Sequence, residues 1–306
     1  MRFDRTVLAL LIAAPLCVAG NWVKPVSPDP LDRDRTEEAR FYMVKTAGGQ
    51  KGDVIVLGDS RTLRGVAPEV LSKHLGGGKV LNFAYNAGGL NPEIYEAATA
   101  RLAPGASRPM MLLGVTPLTL MSVKAGNAQY REVLHKPRDE RWLLLHFPGI
   151  MRWLQPVQPV ELIRPVLGFA PHSLYHQEFH DDGWIGSLKE PENPEEALGV
   201  YTAQLTGQSL DATLVQELMA QTRAWTRAGV QVFAFRPPTT DELEALENRL
   251  LGFDEARLAA AFEEAGGHWL EFPNAPYHSY DGSHLRQDSA IAFSGDLGKS
   301  LAVDTR

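Results

Sequence analysis

The chain reads DVIVLGDS at residues 53–60. This stretch begins with a short apolar run closed by Gly58, which is typical of a strand buried on both faces in a parallel sheet. Four later runs have the same character: residues 79–84, 110–115, 230–235 and 268–272. Helix signals separate the runs. At residues 91–93, for example, NPE supplies an N-cap, a first-turn proline and a first-turn acid ahead of a helix predicted over 94–102.

Strands that alternate with helices are joined by right-handed crossovers and build a doubly wound parallel sheet. We therefore predict an α/β protein with a parallel sheet of about five strands. Further helices are predicted over residues 69–74, after a capping Ser209, and from Asp254 onward. The ligand site of such a sheet lies beyond the carboxyl ends of its strands. Candidate functional residues are therefore those that directly follow a strand.

The composition excludes several classes of protein. Hydrophobic residues make up 44% of the 306 residues and charged residues 22%, so the chain is neither collagen-like nor wholly disordered. A net charge of −7 and the lack of any Lys/Arg run argue against nucleic acid as a partner. Because Cys17 is the only cysteine, an intramolecular disulfide and a thiolate metal site are excluded.

The N-terminal segment indicates export. Residues 7–19 are apolar without interruption and follow Arg2 and Arg5. As a helix they would reach about 20 Å, short of the ~30 Å hydrocarbon core of a bilayer. We predict that residues 1–23 are a signal peptide or, if uncleaved, a membrane anchor, and lipidation of Cys17 is a less favoured alternative. In each case the remainder is expected outside the cytoplasm, in the periplasm or at the cell surface, secreted or anchored by one N-terminal helix.

The rest of the chain divides into three parts. Residues 24–51 are predicted to be a linker with a short helix over 36–45, and residues 52–306 the main domain. Between the third and fourth strands a long insertion, at about 124–194, is rich in Pro, His and Trp without a clear strand. Short helices are predicted within it at 142–147 and 160–167. An insertion of this length is expected to cover the rim of the sheet and wall a substrate cleft.

Two motifs point to nucleophilic catalysis. Ser60 follows the first strand on a tight strand-to-helix turn, which would present its hydroxyl at the carboxyl edge; the alternative is a helix-capping serine. Asp59 is expected to steady this turn. The sequence DGSH at residues 281–284 follows the last strand, and its spacing brings Asp281 and His284 to one side of a turn. The carboxylate could then hold the imidazole tautomer that faces a serine, as in a Ser-His-Asp triad.

Together the two motifs and the strand order resemble the SGNH, or GDSL-type, hydrolase family over roughly residues 52–301, apart from the insertion. The resemblance implies a flavodoxin-like, three-layer fold. It also implies that Ser60 is the nucleophile, His284 the general base and Asp281 its orienting partner. No cofactor is implied.

The family builds its oxyanion hole from the serine N–H, a glycine after the second strand and an asparagine after the third. The resemblance implies that Gly88 or Gly89 supplies the glycine donor. At the position of the family's asparagine this chain has Thr116. A threonine hydroxyl reaches less far than a carboxamide, and loss of one donor costs ~10²- to 10³-fold in rate. Asn86, in the neighbouring loop, is expected to be a substitute donor.

Other polar residues have weaker signals. Arg236 follows the fourth strand, where it would meet an anionic or hydroxyl-rich substrate or else form a salt bridge to residues 241–242. His172, His176 and His180 have helical spacing for a metal, but no partner ligands are evident, and we predict no metal site. No strand is followed by a glycine-rich phosphate loop, which argues against a nucleotide-binding domain.

Residues 60–68, with Gly65 and Pro68, are also similar to the SGNH-like proteins of bacterial cell-surface acylation, which include polymer O-acetylation and D-alanylation factors. These features predict an extracytoplasmic serine esterase or O-acyltransferase that acts on acyl esters, first of all acetyl esters, of a cell-envelope carbohydrate. The alternative is a catalytically weak or inactive SGNH-like module that binds polysaccharide or scaffolds an envelope protein complex.

Overall fold

A computed structural model of the chain describes residues 35–47, 49–147 and 174–304. The predicted membrane segment at 1–23 and the predicted helix at 160–167 lie outside the described residues. Among the helices that are described, none is both long enough and apolar enough to cross a lipid bilayer.

Seven strands are described. They are β1 (Val54–Leu57), β2 (Val80–Asn82), β3 (Met110–Gly114), β4 (Leu174–Phe179), β5 (Ile185–Glu190), β6 (Gln231–Phe235) and β7 (His268–Leu270). Five of them form one parallel sheet in the order β2-β1-β3-β6-β7. Counted within that sheet the order is 2-1-3-4-5, which is the flavodoxin-like, doubly wound arrangement. The predicted fold class is confirmed.

Eleven α-helices are described. They are α1 (Arg35–Ala47), α2 (Ser60–Gly65), α3 (Pro68–His74), α4 (Pro92–Thr99), α5 (Ala128–Leu134), α6 (Arg138–His146), α7 (Glu196–Leu205), α8 (Ala212–Arg227), α9 (Asp241–Leu251), α10 (Glu255–Glu264) and α11 (Gln287–Asp304). A single 3₁₀ turn, Pro117–Leu120, follows β3.

The alternation of side chains along β1 divides the core into two layers. Ile55 and Leu57 face one cluster of buried side chains, in which Tyr95 of α4 and Trp225 of α8 also lie. Val54 and Val56 face a second cluster, with Phe293 of α11 among its members. A strand covered on both faces needs apolar residues at every position, which explains the uninterrupted run that predicted it.

Local capping sets the helix boundaries. The Asn91 side chain accepts a hydrogen bond from the Ile94 N–H, so α4 begins where its N-cap predicted. The helix predicted from Ser209 begins instead at Ala212. Its cap is Asp211, whose carboxylate accepts from the Thr213 N–H at 2.8 Å.

The helix predicted as part of a linker packs into the domain. Phe41, Tyr42 and Met43 of α1 are buried in the same cluster as β1. Helices α5 and α6, both within the insertion, lie against α1. The predicted helix at 142–147 is the second half of α6, which begins at Arg138.

The insertion also contains an antiparallel hairpin, β4–β5, where the sequence showed no clear strand. The turn of the hairpin reaches the outer edge of the parallel sheet, because the Asn82 N–H at the end of β2 donates to the Asp182 carbonyl at 2.8 Å. On the α1 side, Phe179 of β4 packs against Phe41, with their ring centroids 5.1 Å apart. These long-range contacts stabilise strands whose own sequence lacks an alternating apolar pattern.

Candidate active site

Three side chains form a continuous hydrogen-bond chain at the carboxyl edge of the sheet. The Ser60 Oγ lies 2.8 Å from the His284 Nε2, and the His284 Nδ1 lies 2.7 Å from the Asp281 Oδ2. These are the distances that a nucleophile, a general base and an orienting carboxylate need for proton transfer. The structure therefore brings together the three residues that the two motifs predicted, although 221 residues separate Ser60 from Asp281 in the chain.

The turn from β1 into α2 positions the serine. Gly58 has φ +152°, and a Cβ there would lie 2.2 Å from the Thr62 Oγ1 and 2.9 Å from the Gly114 carbonyl. Only glycine fits this close approach of backbone and side chain. Asp59 then caps α2 by accepting from the Arg61 N–H at 2.9 Å. Ser60 is thereby the first residue of the helix, directly beyond the end of β1.

A second tight turn positions Asp281 and His284. Gly282 has φ +91°, and a Cβ there would collide with the Pro194 carbonyl at 2.0 Å. The Asp281 Oδ1 accepts from the Ser283 and His284 main-chain N–H groups at 2.8 and 2.7 Å, which leaves its Oδ2 for the imidazole. The DGSH turn thus fixes the carboxylate with its own backbone, as the spacing predicted.

The environment keeps this carboxylate ionised. Burial raises the pKa of Asp281, but the adjacent His284 and the hydrogen bonds from the backbone outweigh burial and lower it to about 2. The side chains of both residues remain 18% exposed, so solvent reaches the pair. On one side the Tyr280 ring stacks on the imidazole at 5.9 Å between centroids. An ionised Asp281 at neutral pH could stabilise an imidazolium on His284.

The two glycines predicted as oxyanion donors do not offer free N–H groups. The Gly88 N–H donates to the Tyr85 carbonyl at 3.1 Å, and the Gly89 N–H donates to the Asn127 Oδ1 at 2.7 Å. Both contacts stabilise the loop after β2. The sequence could not reveal them, because Asn127 lies in the insertion, far along the chain.

The two side chains predicted as donors are also engaged elsewhere. The Thr116 hydroxyl is fully buried and donates to the Asp59 Oδ2 at 2.7 Å, so it supports the cap of α2 rather than facing the crevice. The Asn86 carboxamide accepts from the Arg64 Nη1 at 2.7 Å and donates to the Tyr42 hydroxyl at 2.9 Å. Thr116 and Asn86 are therefore structural in this arrangement.

The main-chain N–H groups of Ser60 and Ala87 have no acceptor among the described residues. Ala87 has φ +49°, a left-handed conformation that is uncommon for alanine. Its loop lies close to Ser60, because the Arg64 Nη1 contacts both the Ser60 carbonyl, at 3.4 Å, and the Asn86 side chain. No residue-type pattern marks Ala87, and the sequence analysis missed it.

Arg236 does not join the triad. Its guanidinium donates to Glu247 at 2.9 Å and to Glu255 at 3.3 Å, and Glu247 also binds Arg61. The salt-bridge alternative to substrate binding is the one found, with partners other than residues 241–242.

The histidines of the insertion are not on a helix. His176 lies on β4 and His180 directly follows that strand, while His172 is outside the described residues. The helical spacing proposed for a metal site is therefore absent at the two described positions. In the described part of the chain, no group of three or more His, Cys, Asp or Glu side chains is placed to hold a metal ion.

The fold and site define a three-layer α/β protein with a Ser-His-Asp arrangement at the carboxyl edge of its sheet. No protein-family model matches the chain. No curated protein matches it either. A solved structure from Streptococcus pneumonia, provisionally described as a platelet activating factor, is similar with a TM-score of 0.40 and 11% identity, over 94% of this chain and 99% of that one. A similarity at that level carries no argument about family or activity.

Proposed function

We propose that this protein is a serine esterase or O-acyltransferase of the SGNH type. The observation that carries the proposal is the hydrogen-bond chain from the Asp281 carboxylate through His284 to the Ser60 hydroxyl. A capping serine alone would not need a histidine and a carboxylate in line with it. All three groups also lie where a doubly wound sheet binds its ligands.

In the first half-reaction the Ser60 Oγ attacks the carbonyl carbon of an ester, and its proton moves to the His284 Nε2. The carbonyl π electrons move onto oxygen, giving a tetrahedral oxyanion. When the intermediate collapses, the bond to the leaving alcohol breaks and the alkoxide takes the proton from His284. The products are a free alcohol and Ser60 esterified by the acyl group.

In the second half-reaction water or a sugar hydroxyl gives its proton to the His284 Nε2 and attacks the acyl carbon. Collapse of this intermediate breaks the bond to the Ser60 Oγ, which recovers its proton from His284. Water gives a carboxylic acid and a sugar hydroxyl gives a new ester, so the acceptor decides between hydrolysis and transfer. Asp281 keeps the imidazole in the tautomer that serves both steps.

The main-chain N–H groups of Ser60 and Ala87 are the proposed oxyanion donors. Both lack an acceptor among the described residues, and the Arg64 Nη1 contacts both the Ser60 carbonyl and Asn86, the neighbour of Ala87. Two such donors would stabilise the negative charge that develops on the carbonyl oxygen. This arrangement replaces the donors expected at Gly88, Gly89, Thr116 and Asn86.

The proposed substrate is an acyl ester, first of all an acetyl ester, of a cell-envelope carbohydrate. The apolar segment at residues 7–19 supports a location outside the cytoplasm, where such esters occur. The resemblance of residues 60–68 to surface-acylation proteins supports the same substrate class.

The purified full-length chain is expected to release acetate from 4-nitrophenyl acetate and to be labelled at Ser60 by an organophosphonate ester. Ser60→Ala should lower kcat/KM by at least about 10³-fold, since the nucleophile is lost. Ser122→Ala, at an exposed serine, is the matched control and should keep the wild-type rate. Equal rates for wild type and Ser60→Ala would reject the mechanism.

One observation favours a second function. With Thr116 bonded to Asp59, no predicted side-chain donor faces the oxyanion position. A protein without that donor is the catalytically weak or inactive module that binds polysaccharide or scaffolds an envelope complex. Retained binding of an envelope polysaccharide, together with no phosphonate labelling of Ser60, would favour this second function over the first.

A further inference from the structure

A buried arginine lies beside the nucleophile. Arg64 is four residues after Ser60 on α2, so the two side chains share one face of the helix. Only 5% of Arg64 is exposed, and its Nη1 lies 3.4 Å from the Ser60 carbonyl. The charge of this guanidinium is therefore held at the catalytic centre.

No anion neutralises Arg64 among the described residues. Its Nε donates to the Tyr175 hydroxyl at 3.1 Å, and its Nη1 donates to the Asn86 carboxamide. Nearby Tyr42 is neutral, because burial raises its pKa to about 12. Burial likewise raises the pKa of Tyr280 above its ordinary value. Neither Tyr42 nor Tyr280 therefore supplies a negative charge to the guanidinium at neutral pH.

Other buried arginines in this protein are compensated. Arg61 and Arg236 both bind the Glu247 carboxylate. Arg101 also has no carboxylate partner in the described chain, but it is only partly buried and donates to main-chain carbonyls through both Nη atoms. Burial of a guanidinium without an anion is unfavourable, because the charge loses its hydration. Arg64 therefore differs from Arg61 and Arg236, the other two arginines that are buried in the described chain.

The Arg64 Nη2 has no hydrogen-bond partner among the described residues, yet it is not one of the polar atoms sealed from solvent. A ligand that enters the crevice can therefore reach it. Two tyrosines connect Arg64 with His284. The Tyr175 hydroxyl, which accepts from the Arg64 Nε, lies 3.4 Å from the Tyr280 hydroxyl, and the Tyr280 ring stacks on His284. An anion bound to the Nη2 would lie next to an ester positioned on Ser60.

We propose that Arg64 binds an oxyanion, a carboxylate or a phosphate, that the ester substrate itself carries close to its reacting carbonyl. The inference rests on the proposed function and narrows its substrate class to anionic acyl esters. The planar guanidinium suits both kinds of oxyanion.

The test compares esters of different charge. The neutral ester is 4-nitrophenyl acetate. 4-Acetoxybenzoate and 4-acetoxyphenyl phosphate carry the anion on the alcohol part, and 4-nitrophenyl hydrogen succinate carries it on the acyl part. The measured quantity is kcat/KM for each anionic ester divided by kcat/KM for the neutral one. Intrinsic differences in leaving group cancel when this ratio is compared between variants.

Arg64→Gln is expected to lower the ratio by about 10- to 100-fold for at least one anionic ester, the effect of one charge-assisted hydrogen bond. The ester that responds identifies the anion and its position. Arg64→Lys should lower the ratio less, because it keeps the charge. Arg249→Gln, which removes the same charge from an exposed position, should leave every ratio unchanged. An unchanged ratio in Arg64→Gln, with all rates lowered alike, would show a structural role and overturn the proposal.

Binding without turnover separates this inference from the proposed function. Calorimetric titration of the Ser60→Ala protein with 4-hydroxybenzoate should show binding at least tenfold tighter than with neutral 4-hydroxybenzamide. If no ester is hydrolysed by any protein, the proposed function fails, while loss of this binding preference in the Ser60→Ala/Arg64→Gln protein still tests Arg64. Equal binding of the acid and the amide would reject the anion site even if hydrolysis is observed.

Discussion

We expect substitution of Asp281 to change both the proposed activity and the stability of the protein. Replacing Asp281 with Asn should lower kcat by roughly 10³- to 10⁴-fold, since an amide no longer holds the imidazole in the working tautomer. The rate of hydrolysis of 4-nitrophenyl acetate measures the loss. Asp139→Asn, at an exposed aspartate, is the control and should retain full activity.

The substitution Asp281→Asn should also change how the free energy of unfolding depends on pH. The pKa of Asp281 is lowered from 3.8 to about 2 in the folded protein, so its contribution to stability is complete above pH 4 and is lost as pH falls towards 2. This contribution is about 2 kcal/mol. Urea unfolding should therefore show that wild type loses this much more stability than Asp281→Asn between pH 5 and pH 2. If the free energy of unfolding of wild type and of Asp281→Asn changes equally between pH 5 and pH 2, this prediction is wrong.

A contact between two residues was predictable from the sequence where both residues lie within one turn of the chain. Asp281 and His284 form their contact within one turn, so the spacing alone determined it. The partners of Gly89 and Thr116 are Asn127 and Asp59, which the fold brings from elsewhere. Sequence spacing carries no information about such contacts, which is why the predicted donors were misplaced.

At the scale of elements, the junction of β1 and α2 tolerates no side chain at its centre. Gly58→Ala should reduce the free energy of unfolding by roughly 2–5 kcal/mol, because it combines backbone strain with a clash against the Thr62 Oγ1. Gly105→Ala separates the two effects. Its φ of +80° is also strained, but no atom lies within 4 Å of the added Cβ, so the expected loss is about 1 kcal/mol. Urea unfolding measures both, and equal losses would show that the clash is relieved.

Elements with strong local signals were predicted and the others were not. The central strands and α4 follow from apolar runs and an N-cap in their own sequence. The hairpin β4–β5 reads LYHQEF and IGSLKE, without a clear alternation. Its position depends on contacts such as that between Tyr175 and Arg64, which exist only in the folded chain.

At the scale of the whole molecule, one buried carboxylate joins three elements. Glu247 of α9 binds both Arg61 of α2 and Arg236, which directly follows β6. The side chains of Arg61 and Glu247 are fully buried. Glu247→Gln leaves two buried guanidinium groups without their shared charge, which should cost about 3–5 kcal/mol of unfolding free energy.

The control for Glu247→Gln is Glu93→Gln, which breaks the exposed pair with Arg131 and should cost at most about 1 kcal/mol. Urea unfolding of both variants at pH 7 gives the comparison. Similar costs would mean that solvent or rearrangement compensates the buried arginines.

The sheet order and the edge that holds the site were predictable, because right-handed crossovers leave few topologies for alternating strands and helices. The packing position of α1 was not predictable from the sequence. Its residues Phe41 and Met43 read as part of a short helix beside a linker, and only the assembled core shows the surface that they cover.

Arg61, which follows Ser60, is hydrogen-bonded to Ser283, which precedes His284. The Arg61 Nε donates to the Ser283 hydroxyl at 3.1 Å, and Tyr201 of α7 contacts the same hydroxyl at 2.7 Å. Ser60 and His284 are thus carried by two backbone segments that are fastened to each other as well as through their own side chains. Local unfolding of one segment must break the hydrogen bonds that hold the other. The arrangement of Ser60 and His284 should therefore be lost in one cooperative step.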